Sequence, residues 1–135
     1  MFLDPTADAF RCSIAPWLSV RNSAQAVEFY KFAFGATDAY RLETPGGGVV
    51  AKLSVQGAEF WVSDESPENG NFSPESLGGG SVRMILTVAN PDAVFAQALD
   101  AGATEVFPVD EEYGWRLGRV VDPFGHHWEI GRPLP

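Results

Sequence analysis

Apolar side chains recur along this chain with two periods, and the switches between them fall at matching places in its two halves. Over residues 13–20 and again over 81–88 they take alternate positions: Ile14, Leu18 and Val20 in the first run, Val82, Met84, Leu86 and Val88 in the second. That is the pattern of a strand with one buried face. Pro16 interrupts the first run, which argues for an edge strand or a bulge. The period then lengthens. Ala26, Val27, Tyr30, Ala33 and Phe34 follow helical spacing behind Asn22 and Ser23, either of which can cap the helix, and Gly35 ends it. In the second half Asn90-Pro91 sets a cap before a proline at the first helical position. Val94, Phe95, Ala98 and Leu99 supply the apolar stripe there, and Gly102 closes it. Each helix is followed by three predicted strands, at 37–43, 49–55 and 59–63, then at 104–108, 115–121 and 127–130. Pro45-Gly46-Gly47-Gly48, Gln56-Gly57 and Asp122-Pro123-Phe124-Gly125 mark turns between them. Tyr113-Gly114-Trp115-Arg116 reads equally as a lid or as an ordinary hairpin loop.

The halves repeat each other at a nearly constant offset. Ser19-Val20 answers Thr87-Val88 and Gly57 answers Gly125, each 68 positions on, while Gly35-Ala36-Thr37 answers Gly102-Ala103-Thr104 at 67. Such self-similarity is the mark of a duplicated unit that buries its apolar face against its copy. The reading is one α+β domain of two βαβββ modules, at about 12–64 and 81–131. The Ser-, Pro-, Glu- and Gly-rich stretch 65–80 is taken as a linker between them.

On the leading and closing strands one parity is apolar: besides the runs above it includes Phe60, Val62, Trp128 and Ile130, all expected beneath the helices. The other parity holds Ala15, Trp17, Ser19, Glu59, Trp61 and Ser63 in the first half, and Arg83, Ile85, Thr87, His127 and Glu129 in the second. A sheet face so mixed either meets water or lines a ligand cavity. Nine basic against eighteen acidic residues give a net charge of −9. That field repels phosphate backbones and anionic lipid, so nucleic acid and membrane surfaces are not expected partners. It favours a cationic guest, or serves solubility alone. The single cysteine, Cys12, permits no internal disulfide and is expected to be an inert, partly buried thiol. Residues 1–11 lack the basic and apolar segments of an export signal, and no run approaches the ~20 apolar residues that cross a bilayer, so a cytoplasmic location is expected.

The run Ile14-Ala15-Pro16-Trp17-Leu18-Ser19-Val20, with Ala26-Val27-Glu28-Phe29-Tyr30 and Phe34-Gly35-Ala36, resembles the opening of the PhnB-like branch of the vicinal oxygen chelate superfamily, which includes glyoxalases, bleomycin-resistance proteins and dioxygenases. Asp122-Pro123-Phe124-Gly125-His126-His127-Trp128-Glu129 is similar to the closing hairpin of that superfamily, and the likeness spans residues 13–131. It implies eight strands in two half-barrels, and commonly a homodimer that closes the cleft. Metal-using members carry four ligands on the concave face, and by parity and offset those positions here are Ala15, Trp61, Arg83 and Glu129. Alanine and tryptophan do not ligate a divalent ion, and arginine has no free lone pair and would repel it. One carboxylate is too few.

The expected protein is therefore metal-free, with no cofactor, and sequesters an aromatic or cationic compound such as an antibiotic. Trp17, Trp61 and Trp115 would stack on the guest, Glu59 or Glu129 would supply charge, and Arg83 and His127 would join them on the concave face. Arg83 is expected to pair with Glu129, and His126, of opposite parity, to hydrogen-bond the hairpin. The competing expectation is a glyoxalase- or dioxygenase-type enzyme, either with a divalent metal on His127 and Glu129 or metal-free with Glu129 as general base. A third is a scaffold whose large aromatics fill the half-barrel and leave no cavity.

Overall fold

The structure, a computed structural model, describes residues 10–135, so the reading of residues 1–11 falls, up to residue 9, outside the described residues. Module one runs β1 (Trp17–Val20), α1 (Ser23–Phe34), β2 (Thr37–Glu43), β3 (Val49–Val55) and β4 (Ala58–Asp64). Module two runs β5 (Met84–Thr87), α3 (Pro91–Ala101), β6 (Thr104–Glu112), β7 (Trp115–Val121) and β8 (His127–Pro133). Each forms its own four-stranded sheet, in the orders β1-β4-β3-β2 and β5-β8-β7-β6, with the leading strand parallel to the closing one. The cap of α1 is Asn22, one of its two candidates, and that of α3 is Asn90 as expected. Asn22 and Asn90 accept from the backbone N–H groups of Gln25 and Ala93, and Gly35 turns the chain out of α1 at φ 69°. Ser23 is not the cap but a buried brace, its Oγ accepting from Val49 N while Asp64 accepts from its own N–H.

The leading strands are shorter than the alternation suggests. Residues 10–16 form no strand, and Ile14 is 97% exposed instead of lying beneath the helix. Pro16 is the physical reason: it has no N–H to donate, although its carbonyl still accepts from Trp61 N at 2.8 Å. Val82, expected to be covered, is 74% exposed. In the parallel register it would fall opposite His126, where the hairpin turns before β8 begins. Ala15 and Arg83 thus stand just ahead of their strands. β6 runs past its expected end at residue 108 to Glu112 and keeps Pro108 at a register irregularity. Tyr113 and Gly114 are the two-residue turn joining Glu112 to Trp115. The segment read as a linker carries a 3₁₀ turn (Pro67–Asn69) and a short helix, α2 (Pro74–Leu77), with Ser73 as a buried cap. Cys12 is exposed, not partly buried.

Both helices lie on the apolar sides of the sheets and pack on each other, so the two modules share one core. Phe60 and Trp128, from the two closing strands, meet at 5.4 Å between ring centroids with Tyr30 against both. A buried carboxylate sits in this seam. Asp122 takes the Tyr30 hydroxyl at 2.5 Å and Trp128 Nε1 at 2.9 Å on one oxygen, and the backbone N–H groups of Phe124 and His126 on the other. Burial, then the adjacent carboxylate, pushes the Tyr30 hydroxyl well above its ordinary pKa. His126 hydrogen-bonds its hairpin as expected, through its backbone N–H and carbonyl to Asp122, while its ring Nε2 also reaches Ser19 O of module one at 3.0 Å. Among the described residues no helix is long and apolar enough to cross a membrane.

Candidate functional site

The free faces of the two sheets point away from this core, and their contents differ. On module one, Trp17 and Trp61 are register partners on adjacent parallel strands. Their indoles stack at 5.0 Å and 10°, and Trp17 Nε1 donates to Ser63 Oγ at 2.8 Å. Lys52, opposite Trp61 on β3, lies over that ring at 5.5 Å and pairs with Glu59 at 3.4 Å. Trp61 therefore has neighbours on its ring already, and Trp17, 54% exposed, is the indole that faces outward.

On module two the corresponding surface is ionic. Arg83 Nε donates to Glu129 Oε1 at 2.7 Å, the ion pair expected from parity, and Arg119 Nη2 donates to the same oxygen at 2.6 Å. Burial of the Glu129 carboxyl, whose side chain is 17% exposed, would raise its pKa; hydrogen bonds from Arg119 and Arg83 outweigh this and hold it below the usual carboxylate range. A general base poised near neutrality is not what that environment makes. Arg119 also lies over the Phe107 ring at 5.1 Å.

Between the faces opens a cavity of about 500 Å³. Trp17 and Val82 line it together with Phe72 and Leu77 from the segment joining the modules, and Arg83, Arg119, His126 and His127 supply its polar wall. Of the residues expected to act together, Trp17, Arg83 and His127 meet here, with Glu129 hydrogen-bonded to Arg83. Trp61 backs Trp17 without lining the cavity. Glu59, on β4, is engaged with Lys52, and Trp115 sits at the start of β7 opposite Glu112 and Pro133; neither reaches the cavity. Sequence reasoning missed Arg119, Phe72 and Leu77. Arg119 had a readable signal, because the tight turn after Val121 sets Val121 against His127 and hence Arg119 against Glu129. Phe72 and Leu77 had none beyond being apolar in a polar stretch.

A two-module α+β protein with a cavity opening between the free faces of its two sheets is the class this fold defines. The chain belongs to the glyoxalase-like domain family, whose model matches residues 17–131. It is 39% identical over 127 residues to an uncharacterized protein of Mycobacterium bovis, across 90% of this chain and 84% of that one. An X-ray structure of an Arabidopsis thaliana gene product superposes with a TM-score of 0.66 at 32% identity, covering 89% of this chain and 96% of that one. The fosfomycin resistance protein FosX of Listeria monocytogenes, solved with Mn(II) and sulfate, superposes at 0.68 but is 11% identical, covering 93% of this chain and 94% of that one, so it shows the fold alone.

A metal of the kind this superfamily uses does not fit the residues present. Among the described residues no group of three or more His, Cys, Asp or Glu side chains is gathered closely enough to hold an ion. The one carboxylate at the four positions the resemblance points to already accepts two guanidinium groups on one oxygen, and those cations would repel a second positive charge.

Proposed function

We propose that this protein binds a planar aromatic compound without a metal and without chemically changing it, as a sequestering member of its family; an antibiotic is the kind of guest the family resemblance suggests. The observation that carries the reading is the convergence of exposed apolar side chains on one cavity. Trp17, Phe72, Leu77 and Val82 are 54%, 45%, 63% and 74% exposed, and all four line it. Apolar surface left open around a concavity with a few placed polar groups is the usual form of a small-molecule site. Of the two guests expected, aromatic and cationic, the cavity supports the first: its polar wall carries two arginines, and Lys52 already lies over Trp61.

In this reading the working unit is a homodimer. Tyr40 and Leu42 on β2 and Phe107 on β6 are each about half exposed, and a second copy would cover them. Light scattering on the purified protein tests this. The binding reading is tested by calorimetric titration with neutral polycyclic aromatics, alongside metal analysis of protein never exposed to chelator. Saturable binding by metal-free protein, weakened by Trp17→Ala, is expected. No binding of any aromatic probe, or binding only after Mn, Fe, Ni or Zn is added, would overturn it.

A further inference from the structure

The polar wall of the cavity is locally cationic in a protein of net charge −9. Arg83 and Arg119 face it with a single carboxylate, Glu129, between them. Each guanidinium has five N–H donors, yet each spends one nitrogen on the same oxygen, Glu129 Oε1. Two polar nitrogens of residues at this wall have been taken out of water. Arg119 Nε and His127 Nδ1 are buried and have no hydrogen-bond partner among the described residues. A buried polar nitrogen without a partner costs free energy that native proteins rarely leave unrecovered. Glu129 does not recover it, since neither nitrogen is hydrogen-bonded to its carboxylate. Phe107 beneath Arg119 further restricts that guanidinium, so its plane is set before any guest arrives.

We infer that the cavity takes an aromatic guest bearing a carboxylate, with Arg83 and Arg119 gripping the acid and Trp17 covering the ring. Two planar guanidiniums with spare donors match the two oxygens of a carboxylate, and such charge-assisted pairs are the stronger class of hydrogen bond. Glu129 then acts as the resident counter-charge that keeps both arginines in place when the site is open. This inference rests on the aromatic-binding reading above and adds the sign and chemistry of the polar end.

The test is calorimetric titration at pH 7 with three probes of one shape: 2-naphthoate, 2-naphthamide and 2-naphthyltrimethylammonium. Naphthoate is expected to bind about tenfold or more tightly than the amide, the scale of one charge-assisted hydrogen bond, with the ammonium weakest. R83M and R119M should each bring the naphthoate affinity down towards that of the amide. Arg83 is 53% exposed on its side chain, so R83M remains informative if R119M lowers the melting temperature. An amide or ammonium that binds as tightly as naphthoate overturns the carboxylate assignment and leaves the aromatic reading standing. Naphthoate preference that survives both substitutions also overturns it, since the acid would then be held elsewhere. If none of the three binds, the aromatic reading fails and this inference with it.

Discussion

The two modules share a backbone plan and differ in what they place at matching points. Register partners make the match explicit: Trp17, Trp61 and Lys52 on one sheet answer Ile85, Glu129 and Arg119 on the other. One free face is a stack of rings with an ammonium over it; the other is a carboxylate clamped by two guanidiniums. The divergence extends into the core. The β3–β4 turn is the two residues Gln56-Gly57, whereas the β7–β8 loop has three, Pro123-Phe124-Gly125, closed by Asp122 N on His126 O. Asp122 therefore takes the place that Val55 holds in module one, and both are 4% exposed. The two modules share a frame, and at one matching position a carboxylate stands in module two where module one has a valine, joining the halves through Tyr30.

The sharpest way to break this comparison is at that joint. Asp122→Ala leaves the Tyr30 hydroxyl, Trp128 Nε1 and two backbone N–H groups buried without their acceptor. A loss of about 3–5 kcal/mol in urea unfolding is expected. Val55→Ala removes only apolar volume at the matching position and should cost roughly 1–3 kcal/mol. Equal losses would mean that the joint is no stronger than ordinary packing.

Next in size is the close approach at Gly118 in module two. A Cβ on Gly118 would lie 2.8 Å from Phe95 Cε2 and 2.9 Å from Val109 N, and backbone cannot move aside cheaply. The matching residue of module one is Ala51, fully buried, beneath a helix that carries Val27 where α3 carries Phe95. Gly118→Ala should therefore destabilise by about 1–3 kcal/mol. Tyr30→Phe follows at about 1–2 kcal/mol near neutral pH, with a signature in alkali. Because the Tyr30 pKa is raised on folding, the unfolded chain loses that proton first as pH climbs past its ordinary value of 10.0. Wild-type stability should fall across that range, and the Phe variant should lose that part of the slope.

These positions also mark how far the sequence could be read. Periodicity and offset were enough for both helices, the Asn90 cap and the hairpins, and narrowed the first cap to Asn22 or Ser23, because each rests on local chemistry that tertiary contacts did not override. The ends of β1 and β5 were not readable, since alternation continues past the point where a partner strand exists. On the free face, parity found Arg83 and Glu129; Trp115 was grouped with the stacking indoles as a ring in a hairpin loop, and nothing local says how far along the sheet it sits. Asp122 was taken for a turn residue alone. Its second role needs Tyr30, 92 positions away, and nothing local announces it.

The smallest effect tests the free face itself. Glu129→Gln removes the negative charge between Arg83 and Arg119 and nothing comparable in module one, where Trp61 holds the matching place. The Glu129 pKa is lowered on folding from its ordinary value of 4.5, so its contribution is fully present above that value and is lost as pH falls through the lowered one. Near pH 7 the variant should be less stable by about 1 kcal/mol, a figure kept small because Arg83 is half exposed and solvent screens the pair. As pH falls through that lowered pKa the two proteins should converge, because protonation of Glu129 does to the wild type what the substitution does at every pH. A gap that stays constant with pH would mean that the carboxylate holds the arginines by shape and hydrogen bonding and not by charge. Module two would then differ from module one in packing more than in electrostatics.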